Sequence, residues 1–306
     1  MLACPPTVLG NRAVMPLITV ILPTCDRPAL LPRAVASVLG QTERNFELLV
    51  IDNNRRQPAL IEAAPFFGGV MESRVRIIRP AVMRNAATAR NVGLAGARGK
   101  WVAYLDDDDA WRPEKLAHQL ALARRLDAAM VLCGAEFHLR GRSRFVQCDT
   151  TEWRGDELLL RARWNTPLLF HRHDAAARFD DALGSGEDAE FAHRLLAAAE
   201  QAAVPNVAEP LVDIYPQPGP RVNTNPAPVR AAAARILRLR PRFYSSAARR
   251  RFVLHALLAV AKLTRRPGRC AQLSARLMRE SRGADWRLCA NAMAVSLNLF
   301  SDRWVS

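Results

Sequence analysis

The chain lacks the patterns that mark several classes of protein. Its six cysteines form no CxxC pair and no spacing typical of a zinc site or a disulfide framework, which favours a reducing compartment. No stretch approaches the roughly 20 apolar residues that span a bilayer, and no basic leader precedes a sustained apolar core at the N-terminus. We therefore expect a cytoplasmic protein that is neither secreted nor membrane-spanning.

Acidic residues are scarce near the C-terminus. From Pro226 to Ser306 there are 17 Lys or Arg but 3 Asp or Glu, so this segment holds most of the formal net charge of +15. Apolar residues at helical spacing predict helices at 229–239, 246–263, 270–280 and 286–299. Basic amphipathic helices bind anionic lipid, so one interpretation is peripheral binding to the inner face of a membrane. The other is a helical cap with a solvated basic face, and nucleic acid is not expected because no recognised binding motif accompanies the charge.

The first two thirds of the chain alternate between strand and helix patterns. Buried strands are predicted at 17–22, 46–51, 75–79, 101–105 and 128–139, and helices at 29–39, 87–97, 114–126 and 189–199. This alternation predicts an open α/β sheet. Prolines between 204 and 228 suggest a loop or linker. We therefore expect a disordered or leader segment at 1–15, an α/β domain at 16–225 and a basic helical extension at 226–306.

Polar residues follow three of the predicted strands, at the edge where ligands collect in α/β sheets. They are Thr24–Arg27, Asp52–Asn54 and Asp106–Asp109. Adjacent buried carboxylates raise one another's pKa values, so a metal ion or solvent must accompany the four aspartates. A solvated acidic turn is the simpler alternative, but the position directly after a buried strand favours a metal site.

Four segments occur in an order that resembles the family 2 glycosyltransferases, which are nucleotide-sugar-dependent enzymes. ITVILPTCDRP resembles their opening strand and donor-binding turn, and FELLVIDNN resembles their second strand. ARNVGLAGARGKWVAYLDDDDAWRPEKL resembles their acidic metal motif, and FDDALGSGEDAEFAHRL resembles the later acceptor-side segment. The resemblance covers roughly residues 16–221. It implies the GT-A fold, an open mixed sheet flanked by helices, here with a C-terminal helical extension.

The resemblance implies a divalent cation, Mn²⁺ or Mg²⁺, at the acidic run. Asp106 and Asp108 match the outer residues of the family's DxD motif, so they are the expected metal ligands, with Asp106 also near the ribose. Asp107 or Asp109 would share either role. Carboxylates suit this task because a cation held by oxygen ligands neutralises the charge of a departing nucleotide diphosphate.

The resemblance also implies contacts with a nucleotide-sugar donor. Residues at the first two strand ends would meet the base and ribose, and residues around the start of the helix at 87–97 would meet the diphosphate. The donor-binding residues are Thr24, Asp26, Arg27, Asp52, Arg84, Asn85, Arg90, Asp106, Asp107 and Arg221. Arginine suits the geometry of phosphate. Arg221 would supply positive charge near Gln217, where family members often place a histidine.

An inverting transfer needs a base that removes the proton of the acceptor hydroxyl. In SGEDAEF the resemblance points to Asp188 as this base, with Glu187 as its support or as the alternative. Both acids can also simply begin the next helix, where negative charge favours the helix dipole. Arg163-Trp164 and Arg303-Trp304 lack the Gln of the QxxRW motif of processive synthases, which implies a non-processive enzyme. The resemblance is to family members of the bacterial type.

The function implied by the resemblance is that of an inverting glycosyltransferase of the hexosyltransferase type. It would move a sugar from a nucleotide-diphosphate donor to a glycan or lipid-linked acceptor in cell-surface polysaccharide synthesis. A nucleotidyltransferase acting on a sugar phosphate is an alternative, although no Gly-rich, Lys-bearing triphosphate loop follows the first strand. A non-catalytic protein that binds anionic membranes through its basic helices is another.

Overall fold

The computed structural model of the protein describes residues 15–54, 73–80, 84–139, 141–217, 226–239, 243–264 and 266–281, together with Asp285 and Cys289. Within these residues the strands are β1 Ile18–Thr24, β2 Phe46–Asp52, β3 Val75–Ile78, β4 Trp101–Tyr104, β5 Ala110–Trp111, β6 Met130–Leu139, β7 Arg142–Val146, β8 Glu152–Arg154, β9 Phe170–Arg172 and β10 Ala203–Ile214. The helices are α1 Leu31–Leu39, α2 Ala86–Gly96, α3 Lys115–Arg125, α4 Asp156–Leu160, α5 Glu187–Ala198, α6 Pro226–Leu239, α7 Ser246–Leu263 and α8 Pro267–Glu280.

The strands form one mixed sheet in the order β3-β2-β1-β4-β9-β6-β10-β5, with β7 paired to β6 and β8 paired to β10. β1 runs parallel to both β2 and β4, whereas β9 is antiparallel to β4. The register pairs Thr24 with Asp52 and Ile21 with Tyr104. The carboxyl ends of β1, β2 and β4 therefore meet at one edge of the sheet, where the predicted site residues follow them.

The central strands are apolar because both of their faces are buried. Every residue of β1 and β2 is buried, as expected for parallel strands between two helical layers. The buried polar side chains are paired: Thr19 donates a 2.9 Å hydrogen bond to Glu47, and Glu47 also accepts from Arg76 and Arg98. His171 is likewise a core residue, since it lies 2.9 Å from the Tyr104 hydroxyl and burial lowers its pKa to about 4.

The prediction of a loop or linker at 204–228 is wrong for its first half. Residues 203–214 form β10, which lies inside the sheet between β6 and β5. Proline is tolerated here because Pro205 lies before the first residue that pairs with β6, and Pro210 lies where the register with β6 shifts. Neither position needs a backbone N–H for a regular ladder.

The C-terminal helices pack against the α/β part rather than standing apart from it. α6 contacts α5, α7 contacts α4 and α6, and α8 contacts α7. Ile236, Tyr244 and Ala248 belong to the same hydrophobic core as the sheet strands. None of the helices in the described ranges is long and apolar enough to cross a bilayer. The segment at 1–14 and, apart from Cys289, the helix predicted at 286–299 lie outside the described residues.

Candidate functional site

The acidic run lies at the carboxyl edge of the sheet. Leu105 extends the pairing of β4 through a 3.1 Å hydrogen bond to Ile21, and the chain then turns through Asp106–Asp109. A pocket of about 530 Å³ opens beside this turn. Its wall includes three of the four aspartates, the segment 162–167, and the segment 185–189 that contains Glu187 and Asp188. The metal motif and the acceptor-side motif thus share one cavity.

Asp106 and Asp108 face the pocket. Asp106 Oδ1 accepts a 2.7 Å hydrogen bond from Arg90, and Asp108 Oδ2 accepts a 2.7 Å bond from Arg27. Burial and the charge of Asp106 raise the pKa of Asp108. Both carboxylates are hard oxygen ligands that remain partly accessible, and their mutual repulsion is the kind that a bound cation relieves. The pair therefore fits a divalent cation such as Mg²⁺ or Mn²⁺.

Asp107 and Asp109 connect the acidic run to its neighbours. Asp107 accepts a 2.8 Å hydrogen bond from the Thr24 hydroxyl, and burial raises its pKa to about 6 against the opposing effect of Arg27, 3.2 Å away. Asp109 accepts a 3.0 Å hydrogen bond from the backbone N–H of Tyr215, and burial together with Asp106 raises its pKa to about 8. Asp107 is thus a buried link to the end of β1 and is absent from the pocket wall.

Arg90 joins the metal motif to the acceptor-side loop. Its side chain is 6% exposed, with Nη2 2.7 Å from Asp106 and Nη1 3.3 Å from Glu187. Its Nε is buried and finds no hydrogen-bond partner among the described residues. The sequence predicted Arg90 near a diphosphate. The structure places it in the pocket wall, with two carboxylates as its partners.

Glu187 and Asp188 occupy the first turn of α5, two residues earlier than the helix predicted at 189–199. Gly186 precedes them with a φ of 77°, and a Cβ there would lie 3.0 Å from Ala232 of α6. Burial and the adjacent charge of Glu187 raise the pKa of Asp188, while Arg90 opposes this effect. A carboxylate with a raised pKa accepts a proton more readily than an ordinary aspartate, as general-base catalysis requires.

The residues predicted to meet the base and ribose gather at the ends of β1 and β2. Asp52 is fully buried, and its Oδ2 accepts from Arg79 Nη2 at 2.6 Å, while its Oδ1 accepts from the Asn54 N–H at 3.0 Å. Asp26 adopts a φ of 52°, and its N–H donates to the side chain of Asn54. Arg27 instead pairs with Asp107 and Asp108.

Asn85 is the N-cap of α2. Its side chain caps α2 by accepting a 2.9 Å hydrogen bond from the Thr88 N–H, and its amide nitrogen donates a 2.9 Å bond to the Asp181 carbonyl. Asparagine is favoured at this capping position, so both amide atoms are already engaged within the protein. Arg84 directly precedes this cap, whereas Arg221 lies outside the described residues.

Sequence reasoning missed Arg33 and Tyr215. The Arg33 guanidinium lies 3.8 Å from the centre of the Tyr215 ring and donates to the backbone carbonyl of Asp108. The ring of His138 stacks on the ring of Tyr215, with 4.6 Å between the ring centres. Arg33 is an exposed residue of a helix that carries no motif, so little in the sequence signals its position.

A second group of side chains has the composition of a metal site. Glu136, His138 and Asp213 bring their ligand atoms within 4.8 Å of one another. The guanidinium of Arg112, however, pairs with Glu136 and lies 3.2 Å from Asp213. The acidic run is the better candidate for a metal ion because Asp106 and Asp108 line the pocket, whereas Glu136, His138 and Asp213 do not.

Comparison with known proteins identifies the class to which this fold and site belong. The sequence profile described as Glycosyl transferase family 2 matches residues 19–185. The chain therefore belongs to glycosyltransferase family 2, which confirms the predicted family. The matched region contains β1, β2, the acidic run and the segment before α5, so it includes most of the candidate site.

Among curated proteins, the succinoglycan biosynthesis protein ExoO of Rhizobium meliloti is 29% identical over 209 residues, covering 62% of this chain and 58% of that protein. The chain matches less than two thirds of the length of this relative and of other curated relatives.

Two solved structures resemble the whole described fold. The S. aureus TarS fragment 1–349 in complex with UDP-GlcNAc has a TM-score of 0.64 at 16% identity, covering 92% of this chain and 87% of that chain. The mannosyltransferase PcManGT from Pyrobaculum calidifontis, in complex with GDP-Man and Mn²⁺, has a TM-score of 0.57 at 14% identity, covering 94% and 86%. At these identities the likeness concerns the fold, and it confirms the predicted GT-A architecture with C-terminal helices.

Proposed function

We propose that the protein is an inverting glycosyltransferase that moves a sugar from a nucleotide-diphosphate donor to a hydroxyl of a glycan or lipid-linked acceptor. Family membership supports the reaction class. The observation that carries the proposal is the shared pocket, which is lined both by the metal-fitting carboxylates Asp106 and Asp108 and by Asp188, a carboxylate with a raised pKa. The name of the relative ExoO supports a role in polysaccharide biosynthesis.

Asp106 and Asp108 would hold the divalent cation, which when bound neutralises the charge that develops on the departing diphosphate. Mn²⁺ in the structure of PcManGT supports this assignment. Arg90 and Arg27 bring two further positive charges to the same carboxylates, and a guanidinium is well suited to phosphate oxygens. Thr24, Asp26 and Asp52 would orient the base and ribose at the ends of β1 and β2.

Asp188 would act as the general base. As the acceptor oxygen attacks the anomeric carbon, the bond from that carbon to the diphosphate oxygen breaks on the opposite face, and the configuration inverts. Asp188 takes the proton that the acceptor hydroxyl loses. Glu187 raises the pKa of Asp188, while its own carboxylate is held by Arg90.

Calorimetric titration tests the donor site. The full chain is titrated with UDP, GDP and dTDP, each with and without Mn²⁺, and at least one nucleotide is expected to bind in a Mn²⁺-dependent manner. Asp108→Asn should weaken that binding, whereas Asp149→Asn, which removes an exposed carboxylate outside the pocket, serves as the control. Failure of all three nucleotides to bind in the presence of Mn²⁺ would count against a glycosyltransferase.

Turnover tests the base. Asp188→Asn should retain donor binding but release nucleotide from the donor about 100-fold more slowly, which is within the usual contribution of a general base. Full activity in this variant would remove Asp188 from the mechanism. A donor screen should begin with uridine nucleotides, because the donor in the TarS complex is UDP-GlcNAc.

The C-terminal helices support peripheral binding to an anionic membrane. The apolar stripe of α8 packs inward through Cys270, Leu273 and Leu277, while Arg269, Arg276 and Arg279 are exposed. Each basic side chain near an anionic lipid surface contributes about 1 kcal/mol to the free energy of membrane binding. The full chain should therefore float with vesicles of phosphatidylglycerol but not with neutral phosphatidylcholine, and replacing the three arginines by Gln should abolish flotation. Equal flotation of the variant would favour a plain helical cap.

A further inference from the structure

The pocket beside the acidic run is lined by groups of both charges. Its five carboxylates are those of Asp106, Asp108, Asp109, Glu187 and Asp188. The segment 162–167 forms part of the wall and contributes Arg163 and Asn165. An acceptor that carried a negative group would be repelled by the carboxylates unless a cation of the protein met that group.

Arg163 supplies a cation without a carboxylate partner. Among the described residues, its exposed guanidinium forms no ion pair and no hydrogen bond. The amide of Asn165 likewise makes no hydrogen bond to the described residues. Two groups that can donate hydrogen bonds therefore line the pocket two residues apart on the chain, both available to a ligand.

The backbone that carries Arg163 is firmly held. Buried Gln147 accepts a 2.6 Å hydrogen bond from the Arg163 N–H. The next residue, Trp164, is 7% exposed, donates its indole N–H to the Leu158 carbonyl at 3.2 Å, and packs its ring 5.0 Å from that of His193. The side chain itself is exposed, so its charge is open to an anionic ligand that enters the pocket, and a guanidinium is well suited to phosphate and carboxylate oxygens.

We propose that Arg163, assisted by Asn165, forms a subsite for an anionic group of the acceptor, either a phosphate of a lipid-linked sugar or the carboxylate of an acidic sugar. The proposal rests on the glycosyltransferase function and narrows its acceptor class. An acceptor group is favoured over the diphosphate of the donor because Arg90 and Arg27 already pair with Asp106 and Asp108, the carboxylates that would hold the cation on that diphosphate, whereas Arg163 pairs with neither.

The subsite is tested with a matched panel of acceptors. The same sugar is offered to the full-length enzyme as a neutral octyl glycoside, as an octyl diphosphate conjugate, and as the corresponding octyl uronoside. Nucleotide release gives kcat and KM for each. Wild type should have a higher kcat/KM for one anionic acceptor than for the neutral one. Arg163→Gln should reduce this ratio of kcat/KM values by about 10-fold or more, as expected for a lost hydrogen bond between charged groups. The change should come mainly from a higher KM for the anionic acceptor. Preference for the diphosphate or for the uronoside distinguishes the two sources of charge.

Arg161→Gln is the matched control. Arg161 is exposed, lies two residues away, and already pairs with Glu157 at 2.7 Å without lining the pocket. The Arg161→Gln substitution removes the same formal charge from the same segment as Arg163→Gln. If Arg161→Gln keeps the wild-type preference for the anionic acceptor, the loss of preference in Arg163→Gln belongs to the subsite. Equal use of neutral and anionic acceptors, or an equal loss in both variants, would overturn the proposal.

A binding measurement separates this proposal from the proposed function. If wild type transfers sugar to no acceptor of the panel, octyl diphosphate and octyl glucuronide are titrated by calorimetry into enzyme saturated with UDP and Mn²⁺. If wild type binds either ligand and Arg163→Gln weakens that binding by about 10-fold, the subsite is supported although no transfer is observed. No binding, unchanged binding in the variant, or loss of UDP affinity instead would refute an acceptor subsite at Arg163.

Discussion

Arg90 Nη1 lies 3.3 Å from Glu187 Oε1, and these two residues are 97 positions apart in the sequence. The same guanidinium contacts Asp106 at 2.7 Å, so one buried cation holds the metal motif and the start of α5 together. Removal of either half of a buried ion pair leaves the other half without compensation, which costs more than the pair contributes. The acidic run and the start of α5, to which we assign the donor and the acceptor, are therefore linked through one side chain.

Arg90→Gln should lower the free energy of unfolding by about 2–3 kcal/mol, somewhat less than the loss of a fully buried pair because both carboxylates remain partly exposed. Urea denaturation followed by circular dichroism measures this loss. Arg161→Gln provides the control, since its exposed pair should contribute less than about 1 kcal/mol. A loss no larger than that of the control would mean that Arg90 does not link the two motifs.

The pH dependence of turnover should report the raised pKa of Asp188. A base acts in its ionised form, so kcat/KM falls as the pH drops through that pKa, and the fall should begin well above the ordinary value of about 3.9 for aspartate. Glu187→Gln removes a negative charge that raises the pKa of Asp188. The fall of kcat/KM on the acidic side of the pH profile should therefore move to lower pH. The profile is recorded at saturating Mn²⁺ for both proteins. A limb that stays in place or moves to higher pH would contradict the assignment of the base.

Gly186→Ala should disturb the site through the backbone. The glycine has a φ of 77°, and an added Cβ would meet Ala232 at 3.0 Å. Gly141→Ala is a matched control, because Gly141 has a φ of 80° with nothing within 4 Å of its Cβ position. Both variants should lose about 1 kcal/mol of stability from backbone strain, but kcat should fall several-fold in Gly186→Ala alone. Equal kcat in the two variants would show that the contact with α6 does not position Asp188.

Tyr244→Phe should weaken the attachment of the C-terminal helices. Its hydroxyl lies 2.6 Å from Nδ1 of His193 on α5, a side chain whose pKa burial lowers to about 3. The variant leaves a buried ring nitrogen without its partner, at a cost of about 1–3 kcal/mol in the free energy of unfolding. A double-mutant cycle with His193→Phe measures the coupling, which should be about 1 kcal/mol. Additive losses would mean that the contact contributes nothing of its own.

Much of the fold follows from local sequence patterns. The central strands are continuous apolar runs, and the helices between them have clear apolar stripes, so their order and approximate bounds are predictable. β10 was misread because its prolines resemble those of a linker. Only the pairing partners reveal that Pro205 and Pro210 occupy positions where no N–H is needed.

The sequence predicts which segments form the candidate site, but it does not predict which side chains contact one another within it. The motif order brings Asp106, Asp108 and Asp188 to one pocket. Which arginine pairs with which carboxylate depends on separations of up to 97 residues, and no local pattern encodes them. The capping role of Asn85 and the place of Arg163 in the pocket wall depend in the same way on the packed structure.

Tyr244 and Ile236 belong to the core that also contains the sheet. The C-terminal helices therefore cannot be exchanged for those of another protein without disturbing that core. A chimaera carrying the tail of another enzyme would leave an unfilled space behind α5 unless residues on both sides of the junction changed together. Recombination between such enzymes should therefore preserve the pairing of a particular catalytic half with a particular tail, so that inheritance of one implies inheritance of the other.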